Sequence, residues 1–346
     1  RAPCTKGSRA ARDLPWCRAC GTTRTPRRLP TSNRKILAVI GATGAQGGGL
    51  VRAALADREG PFAVRAITRN PDGDKGRALA AQGAEVVAAD LDDQASLERA
   101  FAGAHGAFCV TNFWEHFSPE KELAQATALA DAAKAAGVKH VVWSTLEDTR
   151  KHVPLSDDRM PTLMGSYKVP HFDAKGEADA VFAARVPTTN LATSFYWDNL
   201  IHFGMGPQPL GDGRYAFRLP MGDAKLPGMA AEDIGACAYG IFRAGDETVG
   251  KTIAVAGEQL TGHEMAAKLG HALGKEVVYE AVPFDVYRGL GFPGADDLGN
   301  MFQFKHDFPE AFCGPRDPAV ARRFNPSLQD FDTWLAANAS KIPLPA

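Results

Sequence analysis

The sequence predicts an α/β fold: a doubly wound parallel sheet joined to a smaller mixed α/β C-terminal lobe. Two observations predict it. Short apolar runs alternate with Ala-rich helical stretches from about residue 33 onward, and a glycine cluster closes the first run where a helix should open. The totals agree, since 346 residues with 45% hydrophobic and 23% charged side chains can bury a large core. No run approaches the roughly 18–20 apolar residues of a membrane span, so a membrane protein is not expected.

The chain opens on a segment of different character. Residues 1–32 hold eight basic side chains against Asp13 alone, a charge of +7 that leaves −8 for the rest. An Arg-rich, acid-poor leader without apolar periodicity reads as a disordered tail, an organelle transit segment or translated upstream sequence, and not as part of the fold. Cytoplasm is the expected location, or a plastid or mitochondrion if the leader is a transit segment. Cys17 and Cys20 have CxxC spacing, but a zinc site needs about four ligands and no second pair follows, so no metal is expected. The other cysteines are too dispersed for a disulfide framework.

Residues 35–40, Lys-Ile-Leu-Ala-Val-Ile, form a short apolar run ending at a glycine, as in a strand covered on both faces. A helix to about Asp57 follows, then runs at 63–68, 85–89, 107–110, 140–143 and 188–193, with helical stretches such as 123–136 between them. This β-α-β order implies a parallel doubly wound sheet. Residues 33–199 are therefore expected to form one nucleotide-binding domain. Gly and Pro become dense across 203–228, so a smaller lobe is expected over 200–346, with residues 251–256 placed to return to the main sheet.

Gly41, Ala42, Thr43, Gly44, Ala45, Gln46 and Gly47 sit between the first strand and its helix. That context makes the cluster a Rossmann-type fingerprint: a tight turn at Gly41, close approach of a pyrophosphate at Gly44, and helix-on-strand packing at Gly47. The second strand ends in Thr68-Arg69, where an NAD site usually has a carboxylate for the ribose hydroxyl. A guanidinium suits a 2′-phosphate instead, so NADP(H) is the expected cofactor, unless Arg69 is only a solvated loop charge. Asp90 either meets the adenine or caps the next helix. Thr111, Asn112 and Phe113 should line the cleft at the carboxyl ends of the strands.

With Gly41–Gly48, Thr68-Arg69-Asn70-Pro71, residues 111–115, residues 172–177, residues 290–295 and Asn300-Met301-Phe302 in view, the chain resembles the NmrA-like family of atypical short-chain dehydrogenase/reductase relatives from the leader to Trp334. The resemblance implies NADP(H) binding, with either a redox-linked regulatory role toward a protein partner or reduction of quinones and similar small acceptors. It places Gly41 to Gln46 on the pyrophosphate, Arg69 on the 2′-phosphate, Asp90 and Leu91 near the adenine, and Lys175 with Tyr196, Trp197, Asp198 and Asn199 toward the nicotinamide. One position departs from the family pattern: Ala124 stands where some relatives carry lysine.

Ordinary short-chain reductases use Tyr-x-x-x-Lys on one helix face. Here the spacing gives His171 and Lys175, which share a face and could both look into the cleft. An adjacent ammonium would disfavour a charged imidazole. His171 is thus either a site residue poorly matched to the tyrosine role or a packing residue. Ser144 either polarises a carbonyl or caps a segment, and Tyr167 is a reserve acid left in the loop before Pro170. Histidine at the tyrosine position favours a redox sensor or regulator with weak or no ordinary dehydrogenase activity. The alternative is an NADPH-dependent reductase of quinones or other small electrophiles. With a body of net −8, nucleic-acid binding is not expected. Phe203, Met205, Phe217, Met221 and Met229 would either line an apolar pocket or pack the second core.

Overall fold

The computed structural model describes residues 34–345. The expectations for residues 1–32, including the Cys17–Cys20 pair, lie outside the described residues. Six strands alternate with five helices through the first half. They are Lys35–Val39 (β1), Ala45–Ala56 (α1), Phe62–Thr68 (β2), Asp74–Ala81 (α2), Glu85–Ala88 (β3), Gln94–Phe101 (α3), Gly106–Cys109 (β4), Pro119–Ala135 (α4), His140–Thr145 (β5), Pro170–Ala183 (α5) and Thr188–Ala192 (β6).

The second half continues with Phe195–Tyr196 (β7), Asn199–His202 (α6), Gln208–Pro209 (β8), Tyr215–Leu219 (β9), Leu226–Met229 (β10), Ala231–Ala244 (α7), Thr252–Ala254 (β11), Glu258–Leu260 (β12), Gly262–Leu273 (α8), Val277–Ala281 (β13), Phe284–Arg288 (α9) and Ala295–Asp307 (α10). The main sheet has seven strands in the order β11-β6-β5-β4-β1-β2-β3, all parallel. Strand order reverses between β1 and β4, and a cleft opens there beyond the carboxyl ends of the strands, as such topologies dictate. Two three-stranded sheets, β12-β10-β7 and β13-β9-β8, build the smaller lobe.

β5 is buried at every residue and β4 likewise, as befits strands covered on both faces of a parallel sheet. The later half of the chain is interleaved with the first: β11 pairs with β6, and α7 crosses α1 at backbone contact. A Cβ on Gly49 would stand 2.2 Å from the carbonyl oxygen of Glu232, and one on Gly235 would stand 2.2 Å from that of Gln46. The run of glycines in α1 therefore serves this crossing as well as the turn before it.

α5 is buried nearly all round, clasped by α4 and β5 on one side and α10 on the other. Its first two turns carry His171, Asp173 and Lys175, all buried, so each must find a partner. Asp173 accepts hydrogen bonds from the backbone N–H groups of Thr149, Lys168 and Val169 and from the Thr149 hydroxyl, at 2.6–3.0 Å. It thereby fastens the long 146–169 connection to the helix. Burial raises its carboxyl above the usual range, and these donors work against that. The other two partnerships lie in the cleft.

Candidate cofactor cleft

At the switch point a cavity of about 690 Å³ runs from the β1–α1 turn to the smaller lobe. The turn itself is sterically fixed. Gly41 has φ of +63°, and a Cβ on Gly47 would lie 2.4 Å from the carbonyl oxygen of Gly41, so no side chain fits there. Gly44 caps α1 without a side-chain hydrogen bond, and the first turn holds no acidic residue. The N-terminal amides and positive dipole end of a twelve-residue helix are thus open to an anion. Two polar atoms in the same wall, Gln46 Oε1 and Ser194 Oγ, are buried without hydrogen-bond partners. The open amides fit an anion such as a dinucleotide phosphate bridge, whereas Gln46 Oε1, an acceptor, calls for a donor.

Of the residues singled out from the sequence, Gly41, Thr43, Gly44, Ala45, Gln46, Arg69, Asp90, Leu91, Thr111, Asn112, Phe113, Ser144, His171, Lys175, Tyr196, Asp198 and Asn199 line this one cavity. Ala42 and Trp197 do not. Ala42 is 1% exposed and packs into the core, because alternate residues of the turn face opposite ways. Trp197 is buried against Phe331 and Trp334, beneath the cleft rather than in it. Tyr167 is also elsewhere, bridged to Leu163 with the Arg150 guanidinium 5.1 Å from its ring centroid. Phe217, Met221 and Met229 are fully buried core, whereas Met205 and Phe203 reach the cleft and Phe203 is 67% exposed.

At the outer end, Arg69 sits at the close of β2 with its guanidinium gripping the Glu115 carboxylate at two points, 3.0 and 3.1 Å. The pairing is the two-point, fork-on-fork contact of a guanidinium with a carboxylate. Asp90 Oδ1 accepts from the amide of Asp92, while the cap of α3 is Asp93, whose side chain accepts from the amide of Ser96. The capping role considered for Asp90 thus belongs to Asp93. Ala124 is exposed on the outer side of α4, while Lys121, three residues earlier, lines the cleft and pairs with Asp92 at 2.9 Å. A hydrogen bond from Gln125 and that ammonium hold the Asp92 carboxyl below its usual range.

At the inner end His171 and Lys175 both line the cavity, as expected, but each is held by a carboxylate from another helix. Lys175 Nζ lies 2.7 Å from Glu122 Oε1 and donates to Thr111 Oγ1 at 2.7 Å, and Thr111 in turn donates to the same carboxylate at 2.5 Å. Glu122 is fully buried, so its charge is spent on Lys175 and Thr111, with His116 Nε2 at 3.5 Å from its other oxygen. His171 instead meets a carboxylate. Its Nδ1 is 2.6 Å from Asp297 Oδ1, and its backbone amide donates to Oδ2 of the same residue at 3.2 Å. Asp297 comes from the first turn of α10 and caps α5 from outside, in place of the cap that Val169 cannot supply. The imidazole lies between aromatic rings, with Trp114 and Phe172 each 4.8 Å away by centroids.

Sequence reasoning missed Asp297 and Glu122, which lie 126 and 53 residues from the side chains they hold. No local spacing signals either of them. With the geometry in place, comparison with known proteins is informative. The NmrA-like family model matches residues 33–335. The chain belongs to the NmrA-like family. Among relatives, the NmrA-like family domain-containing oxidoreductase FrzB of Cladobotryum sp. is 31% identical over 313 residues, covering 83% of this chain and 88% of that protein.

Among solved NmrA-like structures, NmrA, a negative transcriptional regulator, has been solved with NAD and with NADP. These two are 25% and 24% identical to this chain, each with a TM-score of 0.72 over 89% of it and 96% of theirs. The Citrobacter sp. triphenylmethane reductase complexed with NADP(H) shares the fold, with 20% identity and a TM-score of 0.67 over 88% of this chain and 99% of that one. Among the described residues no helix of this NmrA-like chain is long and apolar enough to cross a membrane.

Proposed function

We propose that this NmrA-like chain is an NADPH-dependent reductase of quinones or other small electrophiles, with His171 as proton donor and Asp297 as the residue that positions it. The observation that carries this is the 2.6 Å contact between His171 Nδ1 and Asp297 on an imidazole that lines the cleft. A ring held at Nδ1 by a carboxylate keeps Nε2 for the cleft, and in its protonated form it donates at both nitrogens. A reduced nicotinamide, when bound, supplies a hydride. As the acceptor gains negative charge, His171 hands over its Nε2 proton and remains hydrogen-bonded to Asp297 through Nδ1–H. Lys175, neutralised by Glu122, holds its place beside Thr111 and leaves the proton to histidine.

Arg69 is the reason for favouring NADPH over NADH. Its fork already holds a carboxylate in the geometry that suits a 2′-phosphate, and no acidic residue closes β2 to receive a ribose hydroxyl. The regulator reading has its own support in the exposed Arg69–Glu115 pair. A phosphate that takes Arg69 releases Glu115 and the 113–115 turn, which could alter a partner-facing surface.

The full chain titrated with NADPH and NADH, then given a panel of quinones and carbonyls while nicotinamide oxidation is followed, tests both readings. Steady oxidation by one acceptor class, lost in His171→Phe, supports the reductase. Selective NADPH binding with no turnover across the panel favours the regulator, and no binding of either nucleotide overturns both.

A further inference from the structure

One cleft residue has no place in the chemistry above. Lys305, in the last turn of α10, is 2% exposed yet belongs to the cleft wall. Its Nζ stands 5.5 Å from the ring of Phe172, 5.5 Å from that of Phe302 and 4.9 Å from that of Phe312. A buried ammonium ordinarily has a carboxylate, and none of the ion pairs of the described residues includes this one. The carboxylate near it, Glu147, is gripped by Arg316 at 2.6 and 3.0 Å, and Arg316 is itself fully buried beside the Phe312 ring. The corner therefore holds two cations, one anion and three aromatic faces. A second anion is what it lacks.

The position is also suggestive. Asp297, Met301 and Lys305 follow at four-residue intervals and so share one face of α10. Asp297 holds His171, and Phe172, the neighbour of His171, is one of the rings around Lys305. The proton donor and the unpartnered amine are separated by one phenyl ring.

We propose that Lys305 anchors an anionic oxygen, a carboxylate or phenolate, carried on an apolar ring-bearing acceptor whose reducible atom lies at His171. This rests on the reductase reading for the second half of that statement, but the anion site itself does not need turnover. Burial drives the ammonium down to about 7, with Arg316 pushing the same way and Glu147 and Cys313 against it. A lysine in that condition takes up a proton when an anion arrives, so binding above pH 7 should consume one.

The test is calorimetry on the full chain saturated with NADP, using 2-naphthoate as probe and 2-naphthamide as its neutral counterpart, at pH 8 in two buffers of different ionisation enthalpy. The expected result is preference for the acid, buffer-dependent heat equal to uptake of about one proton, and affinity that weakens toward about tenfold per pH unit above the lysine's titration. Lys305→Met should lose at least about tenfold in naphthoate affinity, and the proton uptake with it, while melting no lower than the parent, because it removes a desolvated charge. Lys305→Arg, always charged, should bind the acid without proton uptake.

Equal affinity for acid and amide, or binding of the acid unaffected in Lys305→Met, overturns the proposal. Naphthoate binding with these signatures but no turnover of any acceptor would keep the anchor and sink the reductase. Steady turnover of an acceptor, with naphthoate bound equally by Lys305→Met and the parent, would do the reverse.

Discussion

The two ends of the cleft are made in opposite ways. The outer end is drawn from the first two strands and the turns after them, and its work falls to backbone amides, a glycine turn and one exposed guanidinium. The inner end is drawn from α4, α5 and α10, and its work falls to buried ionisable side chains, of which His171 and Lys175 are each held by a carboxylate from another helix. The outer end is preorganised by chain geometry. The inner end is preorganised by packing, and desolvation makes each of its ion pairs costly to break, since a lost partner leaves a buried charge alone.

The sharpest way to break this contrast is Asp297→Asn, which keeps the shape of the side chain and removes its charge. Turnover is expected to fall by about 100-fold or more, within the range a general acid contributes, with NADPH affinity changed by less than about threefold. Steady-state kinetics beside a direct nucleotide titration would show the split. Equal losses in both would mean that the inner end is not functionally separate. Gly47→Val tests the outer end with the opposite signature. Its side chain would meet the Gly41 carbonyl, and displacing that turn should cost at least about 2–3 kcal/mol of nucleotide binding, near 100-fold, in a chain whose circular dichroism is otherwise native.

Two smaller changes sharpen the contrast within the outer end. Arg69→Ala removes charge-assisted bonds worth about 1.5–3 kcal/mol, so NADPH affinity should fall about 10- to 100-fold while NADH affinity stays level. A parallel fall for NADH would remove Arg69 from the 2′-phosphate. Glu115→Gln releases the competing carboxylate from an exposed pair worth at most about 1 kcal/mol. NADPH should therefore bind about two- to fivefold more tightly, and less so as salt is raised. Weaker binding instead would show that Glu115 orders Arg69 rather than competing for it.

The same division sets what could be read in advance. The alternation of apolar runs with helical stretches foretold the parallel sheet, because both signals are local and periodic. Gly41 to Gly47 could be placed on the turn between β1 and α1 for the same reason, and Arg69 at the end of β2 by its position. Ala42 and Trp197 came along with their motifs yet turn into the core, since a motif gives chain position but not side-chain direction.

At the inner end the sequence could bring His171 and Lys175 onto one face and no further. It suggested that each would be the other's electrostatic neighbour, but α4 presents Glu122 to the lysine and α10 presents Asp297 to the histidine. What the sequence determined by itself was the periodic architecture and the glycine turn before α1, which depend on residues within about one βαβ unit of each other. Only the tertiary structure decided which carboxylate meets which cation, and that Lys305 meets none. Such pairings are fixed by how whole helices pack across the cleft, and no spacing along the chain encodes them.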